Sequence, residues 1–188
     1  GVYICPACEK LLRPIERQAC IYCNKASLYG LTHPGCWRNK GVDGHISLFH
    51  YDNLLKKIIK GIKYSFVTAA RNDLFYLIAK YGQEPLIYYK KNPKLFIQPI
   101  PLSKEKEESR GFNQAEMMAG TFSLLTNIKE IEMIRRHKNT EIQAKIKNKQ
   151  KRRENMKSAF SLIGKQIRAK EILLVDDVVT SGSTVKEA

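Results

Sequence analysis

No stretch of the 188 residues is apolar enough for long enough to cross a bilayer, and neither GxxxxGK[ST] nor GxGxxG occurs anywhere. Those absences exclude a spanning helix and the two commonest nucleotide-phosphate motifs. Acidic side chains are scarce, 18 against 33 Lys and Arg, which leaves a net charge of +15. A small domain that basic is expected to have an anionic partner. Cysteine is scarce too, with five residues, four of them in two CxxC knuckles. With no recognisable signal peptide and one further thiol, two disulfides of a secreted fold are the weaker reading. There is no internal repeat, and 43% hydrophobic content suits one α/β core plus a small appended module.

What is present is most concentrated between Ile172 and Thr184. The short branched run Ile172 to Val175 is the pattern of a parallel strand covered on both faces. Asp176 and Asp177 then emerge at its carboxyl end, where open α/β sheets bind ligands. Thr180, Ser181, Gly182, Ser183 and Thr184 follow with small side chains and hydroxyls, so several backbone N–H groups can close around one phosphate. Thr184 and Glu187 have capping-box spacing, predicting a helix whose positive end faces the same anion. Ala188 falls about one turn into that helix, so the natural chain is expected to continue; a shortened relative with an incomplete sheet is the alternative.

At the other end, Cys5-Pro-Ala-Cys8 and Cys20-Ile-Tyr-Cys23 are separated by eleven residues, the spacing of a four-cysteine zinc ribbon or knuckle. Four thiolates fill a tetrahedral zinc and leave no open position, so the metal is expected to be structural. A segment of about forty residues buries little apolar surface, and metal binding would supply the missing folding free energy. Cys36 follows His33 at HxxC spacing, and either could replace a ligand in a variant site. The favoured expectation leaves both as ordinary residues near a domain boundary, with a zinc module over 1–40 and an α/β domain over 41–188.

Within that domain, Ile46 to Tyr51 reads as a strand and Asn53 to Tyr64 as an amphipathic helix, Leu54, Leu55, Ile58, Ile59 and Ile62 inward and the lysines outward. A second helix is expected over Thr68 to Tyr81, a buried strand over Leu95 to Ile100, and a helix capped by Asn113 up to Leu125. Ala159 to Ile163 and Ile172 to Val175 complete the strands. Strands alternating with helices predict a doubly wound, mainly parallel sheet.

The device of strand, paired acids and Ser/Thr-Gly loop resembles the ribose-phosphate loop of the type I phosphoribosyltransferases. That resemblance implies that Asp176 and Asp177 hold the sugar hydroxyls of phosphoribosyl pyrophosphate (PRPP), with Mg²⁺ accompanying it, while residues 180 to 184 wrap the 5′-phosphate. A narrower resemblance runs through essentially the whole chain. Gln98-Pro-Ile-Pro-Leu-Ser, Arg110-Gly-Phe-Asn-Gln114, the paired knuckles, Tyr51, Lys63-Tyr64, and Arg153 with Asn155 before Ala159-Phe160 are together similar to the ComF competence proteins. That implies a cytoplasmic protein of DNA uptake, working at the inner face of the membrane on single-stranded DNA beside other uptake proteins such as a competence helicase. Its phosphoribosyltransferase-like domain would bind PRPP or ribose 5-phosphate. The alternative is a working Mg²⁺-dependent phosphoribosyltransferase of nucleotide metabolism, for which no nucleophile pocket is recognisable.

The residues themselves add two further expectations. Arg110 could give a bidentate fork to pyrophosphate, with Asn113 capping the helix behind it, or it could be a solvated surface charge. Basic residues are concentrated from Arg135 to Lys157, ten against two acidic, and Lys147, Lys149, Lys151, Arg152 and Arg153 fall inside that run. Lys56, Lys57, Lys60 and Lys63, with Tyr64 and Phe66, form a second basic face. Both are candidates for phosphate contacts and base stacking on single-stranded DNA.

Overall fold

In a computed structural model the chain is described over residues 4–39, 41–64, 68–86, 89, 92, 94–137, 158–163, 171–180 and 182–188. It divides into two compact units, Gly1–Lys91 and Asn92–Ala188. Among the described residues no helix is long and apolar enough to cross a membrane.

In the first unit, helix α1 (Pro6–Lys10) is capped by Cys5, whose sulfur accepts the Cys8 N–H. The Glu9 carboxylate meets the Lys80 ammonium at 2.7 Å, which ties α1 to α3 (Thr68–Tyr81). Helix α2 (Asn53–Tyr64) begins where Asp52 accepts the Leu55 N–H at 2.9 Å, and it buries Ile58 and Ile62. Both helices have the expected bounds, because the 3.6-residue apolar stripe of α2 and the long apolar run of α3 agree with their surroundings. A short helix α4 (Gln83–Leu86) follows.

The strand expected over 46–51 is reduced to a bridge between Phe49 and Pro14, flanked by bonds from Ile15 N–H to Leu48 O (2.9 Å) and from His50 N–H to Arg13 O (2.9 Å). Proline offers the ladder no donor, so the pairing stops at this length. Hydrogen bonds also cross the expected boundary at residue 40: Thr32 N–H donates to Asp43 O, and Gln18 exchanges two 3.0 Å bonds with Ser47.

The second unit is mixed α/β. Strands β1 (Leu95–Pro99) and β4 (Glu171–Val175) pair in parallel, with Leu95 opposite Glu171 and Pro99 opposite Val175. On the other side of β1, Ile97 bonds to Lys129 O at 2.9 Å and to Ile131 N–H at 2.8 Å, so residues 129–131 run alongside it in parallel. Ile97 is wholly buried between them. Helix α5 (Lys104–Arg110) ends on Gly111, left-handed at φ 72°, and α6 (Gln114–Thr126) packs on the sheet. A small antiparallel pair, β2 (Ile134–Arg136) with β3 (Phe160–Leu162), sits beside them. The last helix, α7 (Ser183–Glu187), starts from Gly182.

Candidate functional site

The first unit builds a cluster from residues 20 to 36. Cys20 opens a tight turn closed by Asn24, which takes a left-handed φ of 57°, and a bridge pairs Ala19 with Ala26. The chain then doubles back through Gly30, where an added Cβ would lie 2.0 Å from the His45 carbonyl oxygen, so only glycine fits. Thr32 and His45 fasten this segment to residues 43–45, and Cys36 N–H donates to His33 O at 2.8 Å as a 3-10 turn begins. The result brings one donor atom each from Cys20, Cys23, His33 and Cys36 within 4.8 Å of one another.

The donor set fits a structural zinc. Bonds of about 2.3 Å put neighbouring sulfurs roughly 4 Å apart around a tetrahedral ion, inside the span observed. His33 Nε2 lies 3.1 Å from the Ala26 carbonyl and donates to it, leaving the Nδ1 lone pair toward Cys23 Sγ at 3.3 Å. Metal-binding imidazoles are oriented by such an outer hydrogen bond. Burial pushes the Cys20 thiol up, but backbone N–H groups of His33, Cys23 and Tyr22 outweigh it and bring it down to about 6. Its neighbour Cys36 is pushed up to about 11, first by its hydrogen bond with Cys23, then by burial and by the Cys20 side chain. A thiolate beside a second that resists ionisation is what a divalent cation relieves.

Half of the expected ligand set is therefore placed elsewhere. Cys20 and Cys23 meet His33 and Cys36, whereas Cys5 and Cys8 remain outside that group, in their own knuckle on α1 with Cys5 Sγ 3.4 Å from Cys8 N. The HxxC spacing was the signal for the two residues set aside. The turn at Asn24 and the close approach at Gly30, which fold that spacing back onto the first knuckle, have no comparable sequence signature.

In the second unit, Asp176 and Asp177 follow directly on β4, both half-buried, and Asp176 Oδ1 accepts the Asp177 N–H at 2.8 Å. Gly182 is buried with φ 69° and stands as the N-cap of α7, its carbonyl accepting the Lys186 N–H at 3.0 Å. Thr184 thus lies inside the helix and does not cap it: the left-handed glycine starts α7 two residues earlier than the capping box predicts. Thr180 is exposed and Thr184 half-buried; Ser183 is the first residue of α7, and Ser181 lies outside the described residues.

Arg110 ends α5 half-buried, and its guanidinium donates to Gln114 Oε1 at 3.4 Å. Asn113 caps α6 as expected, accepting Ala115 N–H at 3.0 Å, and its amide also donates to Ile100 O at 3.2 Å. Gln98, fully buried, receives Met133 N–H on Oε1 at 2.6 Å, which sets the start of β2 against β1. On α2, Lys56, Lys57 and Lys60 are exposed and Lys63 is half-buried. Lys147, Lys149, Lys151, Arg152 and Arg153 lie outside the described residues, as does Phe66.

Known proteins resemble this chain along nearly all of it. It is 29% identical to Competence protein F of Haemophilus influenzae over 98% of this chain and 81% of that protein. To Competence protein ComFC of Bacillus subtilis it is 26% identical over 97% of this chain and 74% of the relative. A shorter match, 35% identity over 47% of this chain and 38% of the other, links it to the DNA utilization protein YhgH of Escherichia coli O157:H7. No family model matches the chain, and no solved structure matches it significantly.

Proposed function

Because the chain is ComFC-like over nearly its whole length, we propose that it serves DNA uptake in natural transformation, handling single-stranded DNA and binding a 5-phosphorylated ribose. The observation that carries the ligand half is the delivery of Asp176 and Asp177 at the carboxyl end of a parallel strand, five residues before a buried left-handed glycine. Two carboxylates there can accept vicinal sugar hydroxyls, and a chain reversing at Gly182 can turn its N–H groups on a phosphate. A type I phosphoribosyltransferase-like fold accommodates both and agrees with the mixed α/β unit. Mg²⁺ bound with PRPP would offset the charge of its diphosphate. Zinc held by Cys20, Cys23, His33 and Cys36 would secure the N-terminal module, leaving no open position for chemistry.

DNA enters this reading through charge. The exposed lysines of α2 present cations on one helix face opposite the buried Ile58 and Ile62. The basic run between Arg135 and Lys157 would add to that surface. Polyanion binding of this kind needs no base readout, which suits incoming DNA of any sequence.

Calorimetry with PRPP and Mg²⁺ tests the ligand half. The Asp176→Ala, Asp177→Ala double variant should lose affinity by about tenfold or more, since hydrogen bonds to charged groups contribute about 1.5–3 kcal/mol each. Equal affinity in the variant and the wild type would place the ligand elsewhere, and release of pyrophosphate with an added acceptor would favour an enzyme.

A further inference from the structure

The first unit holds a second pair of thiols that the metal cluster does not use. Cys5 and Cys8 stay outside the group formed by Cys20, Cys23, His33 and Cys36, and among the described residues they belong to no other group of three or more metal-binding side chains. Cys5 is exposed and Cys8 half-buried. Cys5 Sγ accepts the Cys8 N–H at 3.4 Å and Cys5 O accepts the Glu9 N–H at 3.0 Å, so the two cysteines close one helical turn. Residues three apart in such a turn have Cα atoms about 5–6 Å apart, inside the roughly 4.4–6.8 Å that a disulfide spans.

The chain is pinned on both sides of this turn. Before it, buried Ile4 donates its N–H to Asp73 Oδ2 on α3. After it, the Glu9 carboxylate accepts from Lys80 Nζ at 2.7 Å and from the Tyr76 hydroxyl at 3.3 Å, and Leu12 is buried. Pro6 at the first helical position fixes its own φ. A turn anchored in this way needs neither a metal nor a disulfide to keep its shape, which leaves its two thiols for chemistry. Their environments also differ. The Cys8 N–H, first, holds the Cys5 thiol below its usual range, while the hydrogen bond with Cys5 pushes the Cys8 thiol up. The thiolate is the attacking form, and the exposed sulfur is the one a small molecule reaches first.

We propose that Cys5 and Cys8 form a thiol–disulfide exchange site for small-molecule disulfides, with Cys5 attacking and Cys8 resolving. The Cys5 thiolate attacks one sulfur of a disulfide RS–SR; a Cys5–SR bond forms as the original S–S bond breaks, and RS⁻ leaves with the electron pair. Cys8 then gives its proton to solvent and attacks the Cys5 sulfur, forming the Cys5–Cys8 bond and expelling the second RS⁻. The chain is oxidised by two electrons, and the small disulfide is reduced to two thiols. Exposed disulfides of this kind are readily reduced again, so the change is reversible. The site rests on the metal being held by Cys20, Cys23, His33 and Cys36, a reading that the same experiment tests separately.

Full-length zinc-loaded protein is reduced, freed of reductant and incubated with glutathione disulfide. Remaining thiols are trapped with iodoacetamide and mapped by peptide mass spectrometry, and zinc is counted on the same sample. The expected product is a Cys5–Cys8 disulfide in protein that keeps its zinc. Cys8→Ser should stop at a glutathione adduct on Cys5, and Cys5→Ser should form the corresponding adduct on Cys8 several-fold more slowly. A wild type whose Cys5 and Cys8 stay open to iodoacetamide after the incubation would overturn the proposal. So would zinc leaving as they oxidise, or disulfides joining either of them to Cys20, Cys23 or Cys36. Equal adduct rates in the two variants would overturn the roles given to the two sulfurs. Oxidation confined to Cys5 and Cys8 in protein that carries no zinc would sustain this site and sink the metal assignment.

Discussion

His33 illustrates how a single side chain redirects a motif. Its ring is fixed by Ala26 on one nitrogen and faces Cys23 with the other, so it completes a Cys₃His set that the two CxxC knuckles alone do not suggest. His33→Ala or Cys36→Ser should abolish stoichiometric metal, and Cys5→Ser with Cys8→Ser should leave one zinc per chain, as read by metal analysis of protein purified without chelator. Loss of zinc in the Cys5, Cys8 variant with retention in His33→Ala would restore the ligand set that spacing favours. Spacing names donors but not the path of the chain between them, and here Asn24 and Gly30 decide that path.

Helix starts and strand ends carry the second unit. Asn113 accepts one N–H and donates to both Ile100 O and Glu116 Oε1 while being 3% exposed. Asn113→Ala should therefore cost about 2 kcal/mol, the upper range for a cap, read as a lower denaturant midpoint at unchanged slope. No change in midpoint would mean that α6 is held by packing alone. Strongly periodic or continuously apolar segments were legible: α2, α3, β1, α6 and β4 lie within a residue or so of expectation. Segments decided by backbone geometry were not. The 46–51 run meets Pro14 and stops at a bridge, and α7 begins at a left-handed glycine that local capping rules pass over. The paired acids were placed correctly at a strand end because that position depends only on where the apolar run stops.

At the scale of the whole molecule, charge is what the sequence states most plainly and what the described residues cover least. The net +15 is a property of composition, and of the basic residues expected to meet DNA only the lysines of α2, with Arg135 and Arg136 on β2, have a described position. Each phosphate neutralised on a single strand steepens the salt dependence of log K by about 0.7 per decade. The most direct measurement is fluorescence anisotropy of a labelled single-stranded oligonucleotide, titrated with wild type and with Lys56→Gln, Lys57→Gln, Lys60→Gln across a salt series. DNA handling predicts tight binding at low salt, little dependence on base sequence, and a slope shallower by about 2 in the triple variant. Absence of binding at low salt, or identical slopes in both proteins with affinity unchanged, would contradict it.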